Sequence, residues 1–344
     1  MWRSLLKKTI PFILTFIGIV LFCFLTLRTG LHSILLSLAK VGIGGFVALI
    51  LCQLIVNLVL GLAWKASIAD ISLSRLTASR AVRDAANSCL PFSQLGGIFI
   101  GIRSLVAGHP RRTTNGSPLG WPEGVAANVI DVTTELLGQV AFIFLSLLCL
   151  IGYQDADRFI WPVIIGIIVL TIAAIGFIWT QQRGGNILKR IIQFMAGQLS
   201  AERHASLTGG SDDFQAYMEA SWNRPLRMLC GAFLHFICWL ASAGITWFSA
   251  HLLGATTLFF LNAVAIEGVV CAIMSVGFLV PGALGIQEGA YVTLGLIFGL
   301  PADISLSISL LRRGRDIIIG VPVLLLWQFY ELRRLRHSNS HSSS

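Results

Sequence analysis

The sequence predicts an all-α polytopic membrane protein: six full transmembrane helices plus two re-entrant broken hairpins, arranged as an inverted repeat. Three observations carry this. Of 344 residues, 55% are hydrophobic and 12% charged, about half the charged fraction of a soluble domain. Apolar runs of about 20 residues, enough to cross a bilayer as a helix, recur along the chain, and the mean hydropathy is +0.80. The order span, span, broken hairpin, charged span also occurs twice.

The six runs cover residues 10–27, 41–64, 125–150, 160–180, 226–251 and 303–330. Two further apolar stretches, 81–108 and 258–301, are interrupted near their middles. In the first, Pro91 is followed by Gly96 and Gly97; in the second, Pro281 by Gly282 and Gly285. Proline removes a helical donor and clashes with the preceding turn, while glycine permits a sharp reversal. Open backbone at membrane depth is tolerated only where protein or a water-filled cavity covers it, so each stretch is read as two half-helices. The first repeat is then residues 1–150 and the second 151–330, with a polar cytoplasmic loop at 181–225. A disordered cytoplasmic tail is expected at 331–344. Inverted repeats with broken helices recur among transporters.

The net charge of +9 is distributed informatively. Arg3, Lys7 and Lys8 precede the first run, and Lys65, Arg75, Arg80 and Arg83 follow the second. Arg183, Lys189, Arg190, Arg203, Arg224 and Arg227 flank or occupy the central polar segment, and Arg333, Arg334 and Arg336 close the chain. The positive-inside rule assigns all of these, and both termini, to the cytoplasm. The first hairpin then enters from the cytoplasm and the second from the opposite side. Bases that flank spans form no continuous stripe, so nucleic acid is not an expected partner. The first run follows Lys7-Lys8 like a signal peptide, but ends in Thr26-Leu27-Arg28 without a small-residue cleavage site, so it is read as uncleaved. All seven cysteines lie in apolar segments without ligand spacing and read as small buried hydrophobes. The glycines within 42–45 are assigned to close helix packing.

A charge at the bilayer centre costs roughly 2.5–3.5 kcal/mol on insertion scales, yet two runs carry several. Residues 125–150 contain Asp131 and Glu135, and 303–330 contain Arg312, Arg313, Arg315 and Asp316. Asn128, Asp131, Glu135 and Gln139 fall on one helical stripe, as do Ser305, Ser309, Arg312 and Asp316. Arg312 and Asp316 are expected to pair within their helix, leaving Asp131 and Glu135 to balance Arg313 and Arg315 across the repeat axis. Two explanations of these stripes stay open: interhelical hydrogen-bonded glue, or the lining of a cavity that contacts something polar. Arginine's planar fork suits phosphate or carboxylate, which makes an anionic lipid headgroup a candidate partner.

The first hairpin adds Arg83, Asp84, Asn87, Gln94 and Arg103 to the candidates, and the second adds Glu267, Gln287, Glu288 and Tyr291. Arg83 and Asp84 either anchor the hairpin at the surface or join the site; Glu288, beside the Pro-Gly turn, is harder to explain as structure alone. HExxH, GxSxG and paired-cysteine zinc signatures are absent, so an enzyme, a cofactor and a metal are not expected. His235, deep in a span without neighbouring ligand types, is read as a packed core residue.

Five motifs carry a family resemblance. They are Arg83-Asp84-Ala85-Ala86-Asn87 with Leu90-Pro91-Phe92-Ser93-Gln94-Leu95-Gly96-Gly97 and Gly101-Ile102-Arg103; Asp131-Val132-Thr133-Thr134-Glu135 with Gln139; Phe278-Leu279-Val280-Pro281-Gly282-Ala283-Leu284-Gly285-Ile286-Gln287-Glu288-Gly289; Leu311-Arg312-Arg313-Gly314-Arg315-Asp316; and Trp327-Gln328. Together they resemble the lysylphosphatidylglycerol-synthase transmembrane-domain (flippase-like) family, in its hopanoid-biosynthesis-associated branch. The segment 108–124, with Arg111-Arg112, looks longer than the family's usual loop. The resemblance implies a bacterial inner-membrane protein linked to hopanoid lipids. Aminoacyl-lipid synthesis is not implied, because no soluble transferase domain accompanies the membrane unit. Inverted repeat, hairpins and buried charges favour a lipid translocase or transport facilitator. The alternatives are a membrane-embedded accessory enzyme of hopanoid biosynthesis, using the buried carboxylates as acid–base groups, or a scaffold for the biosynthetic enzymes.

Overall fold

The computed structural model describes residues 31–68, 70–90, 94–107, 119–150, 157–183, 214–276 and 283–341. The predicted first span, Pro91, Pro281, Gly282 and most of the predicted loop at 181–225 lie outside them. The described residues form helices and no strands, as the sequence predicts. In chain order these are α1 (Leu31–Ser67), α2 (Leu73–Cys89), α3 (Gln94–Ala107), α4 (Trp121–Leu150), α5 (Asp157–Arg183), α6 (Pro225–Leu252), α7 (Phe260–Val276), α8 (Ile286–Ile297) and α9 (Ala302–His341). A short helical stretch, 214–222, precedes α6.

Among the described residues, three helical segments are long and apolar enough to cross a membrane: Leu38–Ser67, Trp121–Leu150 and Pro225–Leu252. Their outward faces, and those of α5 and α9, carry apolar rows at helical spacing. Leu51, Ile55, Leu58 and Leu62 are exposed on α1; Trp161, Ile165, Ile168, Ile172, Ile175 and Trp179 on α5; and Ile318, Val321, Leu325 and Phe329 on α9. Soluble monomers rarely expose contiguous apolar patches of this extent. Lipid is the solvent that fits these rows.

The helices pack in a pattern that exchanges with the two halves of the chain. α1 lies against α6. α2 packs on α9 as α7 packs on α4, and α3 packs on α4 as α8 packs on α9. Within each interrupted stretch the two helices pack on each other, α2 on α3 and α7 on α8. One apolar core joins Leu49, Ile143, Ile245, Val269, Leu294 and Leu311. A second gathers Trp64, Ile68, Leu76, Leu105, Ile130 and Met218. In the second core the Trp64 indole Nε1–H donates to the Ala127 carbonyl at 2.9 Å and is wholly buried. Trp64→Phe is expected to lower stability by about 1 kcal/mol, the net worth of one hydrogen bond plus a small packing loss, read as an earlier thermal transition in detergent.

Four boundaries differ from those the sequence predicts. The first interrupted stretch begins at Leu73 and not at residue 81, because Ser74, Arg75, Thr77, Ser79 and Arg80 depress the hydropathy of a helix that is nevertheless continuous. Gly96 and Gly97 fall inside α3 and not in the break. A Cβ on Gly97 would lie 1.9 Å from Asn87 Oδ1, so this glycine sets the close approach of α2 and α3. Within 42–45, Gly45 alone approaches another helix, at Leu252, whereas Gly42 takes φ 62° and interrupts the helical backbone of α1. The predicted disordered tail is helical to His341, consistent with the strong helix formers in Glu331-Leu332-Arg333-Arg334-Leu335-Arg336.

Candidate functional site

The site starts from two arginines spaced three apart on α2. Arg80 and Arg83 therefore share a face, and both are buried. Arg80 Nη1 donates to Asp131 Oδ2 at 2.8 Å and Nη2 to Glu135 Oε1 at 2.6 Å, while Nε donates to Asp84 Oδ2 at 2.9 Å. Arg83 Nη2 donates to Asp131 Oδ2 at 2.7 Å and to Glu135 Oε2 at 3.2 Å. Its guanidinium also lies 5.6 Å from the centre of the Trp64 ring. On α4, Asp131 and Glu135 are four apart and present matching carboxylates to this pair. From α6, His235 Nε2 sits 3.2 Å from Asp131 Oδ1. Gly138 makes that approach possible, since α6 backbone lies within 2.7 Å of where its Cβ would be.

The other half builds a network with the signs exchanged. Here the hairpin helix supplies the acid, Glu267 on α7, and the long helix α9 supplies the base, Arg312. The two form an ion pair. Tyr291 on α8 donates its hydroxyl to Glu267 Oε2 at 2.6 Å and accepts from Arg312 Nη1 at 2.8 Å. Thr246 Oγ1 donates to the same Glu267 oxygen at 2.8 Å. Next to it, Glu288 pairs with Arg313 and accepts the Gly285 N–H at 2.8 Å. Gly285, at φ 78°, caps α8 in a conformation that side chains rarely adopt. Glu288 thus fastens the start of α8 to α9, a structural account that the sequence did not suggest.

Several predicted pairings are corrected. Asp131 and Glu135 do not meet Arg313 or Arg315; they take Arg80 and Arg83. Arg312 pairs with Glu267 and not with Asp316, which instead takes Arg315 Nη2 at 2.8 Å. The reason is packing: α4 lies on α7 and α9 lies on α2, so α4 and α9 face one another across a space that the charges do not bridge. Arg80 and Arg83 are likewise buried and cannot count as cytoplasmic bases, nor does Arg83 anchor the hairpin at a surface. His235 is packed, as predicted, but also holds a site carboxylate.

The remaining candidates separate into glue and lining. Gln139 Nε2 donates to Cys271 Sγ and Ser275 Oγ, both at 2.9 Å, joining α4 to α7. Gln287 Nε2 donates to Ser309 Oγ at 2.9 Å, joining α8 to α9. Arg103 pairs with Glu331 at 2.7 Å, joining α3 to the far part of α9. Gln94 opens α3. By contrast Asp84, Asn87, Glu135, Arg312, Arg315 and Asp316 line a common cavity of about 270 Å³ between α1, α2, α4, α6 and α9. Gln53 and Asn57 add polar groups from α1, and Ser242 from α6. At roughly 30 Å³ per water, the space holds on the order of nine waters, too small for a whole lipid and adequate for a headgroup.

Arg80, Gln53 and Asn57 were not singled out from the sequence. Arg80 had a signal, its three-residue offset from Arg83 matching the Asp131–Glu135 stripe; Gln53 and Asn57 had only a four-residue spacing within an apolar run.

Apolar outer faces around a charged interior define a multi-pass membrane protein. The chain belongs to the family described as the lysylphosphatidylglycerol synthase TM region, which matches residues 12–323 and gives it a lipid-related role. No curated protein and no solved structure matches the chain.

Proposed function

We propose that this protein is a lipid translocase, or a facilitator of lipid transport, in which a polar headgroup passes through the central cavity while the apolar part stays in the bilayer. The observation that carries the proposal is the cavity itself: polar and charged groups from both halves converge on it, behind helices whose outer faces are apolar. In this proposal the chain has six full spans, and α2–α3 and α7–α8 are re-entrant hairpins entering from opposite sides. Both termini are cytoplasmic, the membrane is the bacterial inner membrane, and no chemical step is performed. The exchange of packing partners between the two halves supports an inverted repeat of the kind that alternating-access carriers use. A hopanoid or hopanoid-linked lipid is the favoured cargo, on the strength of the motif resemblance.

Labelled lipid in vesicles reconstituted with the purified full chain tests this. Transfer between leaflets is expected to be accelerated at least several-fold over protein-free vesicles, and an unchanged rate sinks the proposal. In a deletion strain, a normal hopanoid inventory in the wrong leaflet is expected. A missing modified hopanoid would instead favour the accessory enzyme.

A further inference from the structure

Every guanidinium that faces the cavity is already held by a carboxylate. Arg80 holds Asp131 and Glu135, with Arg83 behind it on the same two carboxylates, Arg312 holds Glu267, and Arg315 holds Asp316. An anion entering the cavity would compete with a carboxylate at each of these guanidiniums. Charge balance supplies a way out. The second network is neutral, with Arg312, Arg313 and Arg315 against Glu267, Glu288 and Asp316. The first has two guanidiniums, Arg80 and Arg83, against three carboxylates, Asp84, Asp131 and Glu135. Counting guanidiniums and carboxylates alone, with the His235 imidazole beside Asp131 left out of the count, the carboxylates exceed the guanidiniums by one.

Resting on the translocase proposal, we propose that Glu135 is a proton-operated latch, and that its protonation lets the cavity bind an anionic phosphodiester headgroup. Glu135 differs from its neighbours in combining two properties. It binds both arginines of the pair, through Oε1 to Arg80 and Oε2 to Arg83, and its side chain is 26% exposed beside the cavity. Asp131 also binds both arginines but is wholly buried and tied to His235. When the Glu135 carboxylate takes one proton from cavity water it becomes a neutral acid. The Nη2–H group of Arg80, which lines the cavity, loses its charged acceptor there and becomes available to a phosphate oxygen, while Arg83 stays on Asp131 behind it. The new Glu135 O–H can donate to the same anion. Asp84 and Asp131 continue to balance the two guanidiniums. One proton plus one monoanion leaves the charge of the cluster unchanged, so loading adds no buried charge.

The groups that bias this titration are named by the packing. Arg80, Arg83 and Asp84 face Glu135 from α2, Asp131 from its own helix, and His235 from α6. Arg315 and Asp316 stand on the far wall, on α9. From α7, Glu267 is held by Arg312 and Tyr291 and stays out of the exchange.

Calorimetry of the full chain in zwitterionic nanodiscs tests the latch, with short-chain phosphatidylglycerol as the probe. Titrations in two buffers of different protonation heat report the protons taken up. Uptake of about one proton per lipid is expected, with affinity falling about tenfold per pH unit above the latch's titration, as one linked proton requires. Glu135→Gln is expected to bind the same lipid with no uptake and a flat pH profile. Lipid binding by the native chain without proton uptake, no lipid binding at all, or an unaltered pH profile in Glu135→Gln would each overturn the latch. Inorganic phosphate is the second arm, and binding as tight as that of the lipid would overturn the assignment to a lipid headgroup. If Glu135→Gln does not fold, the two-buffer measurement on the native chain still decides. Leaflet transfer without proton uptake would sink the latch alone, whereas uptake on binding without transfer would sink translocation alone.

Discussion

Arg80→Ala is expected to reduce the yield of detergent-stable protein far more than the same change combined with Asp131→Asn. Arg80 donates to three carboxylates and is itself buried. Its removal leaves Asp84, Asp131 and Glu135 facing Arg83 alone. Breaking one side of a buried ion pair costs about 3–5 kcal/mol, chiefly because the other charge is left without compensation. Neutralising Asp131 at the same time removes one of the stranded charges and recovers much of that loss. Scored as a double-mutant cycle on thermal stability, the pair should show a coupling of about 1–3 kcal/mol. Arg315→Ala combined with Glu135→Gln serves as the contrast, and additive losses are expected there because Arg315 is held by Asp316. Strong coupling in that second cycle, with none in the first, would mean that the charged helices meet directly across the cavity.

Gly138→Ala is expected to be strongly destabilising, because the added methyl meets backbone. The added carbon would lie 2.7 Å from the Ala232 carbonyl oxygen, 2.8 Å from the Phe236 nitrogen and 2.9 Å from His235 Cβ. Two of those atoms are backbone of α6, so no side chain can rotate away and α4 and α6 must separate. Overpacking of this kind costs about 1–3 kcal/mol, and the displacement also pulls His235 from Asp131. Gly44→Ala is the control, since nothing lies within 4 Å of its Cβ position. It should be neutral or stabilise by about 0.4–1 kcal/mol through a less flexible unfolded chain. Equal stability of the two variants would show that α4 and α6 do not approach this closely at Gly138.

The fold class was legible because a bilayer imposes a one-dimensional rule. The runs at 41–64, 125–150 and 226–251 are each contained in a long apolar helix, since about 20 apolar residues can satisfy their backbone in lipid in few other ways. The interruptions after Cys89 and before Ile286 were legible from Pro91 and from Gly285, whose geometry is local. The start of α2 was not, because polar residues that lower its hydropathy, Ser79 and Arg80, are buried in the protein. Hydropathy records how apolar a residue is and not which way it faces.

For the site, the sequence by itself determined which helices carry charge and that these charges need partners: Asp131 and Glu135 on one, Arg312, Arg313 and Arg315 on another. Only the tertiary structure decided the partners. Opposite charges on two helices attract on paper whatever the route between them, whereas in the folded chain a pair forms only where backbones come within a side chain's reach. α2 brings Arg80 and Arg83 to α4, and α7 brings Glu267 to α9, while α4 and α9 stand apart with a cavity between them. Which surfaces come together depends on the packing of every helix at once, including glycines such as Gly97 and Gly138 whose missing side chains set the distances. That information is spread over the whole chain, and no local run of residues contains it.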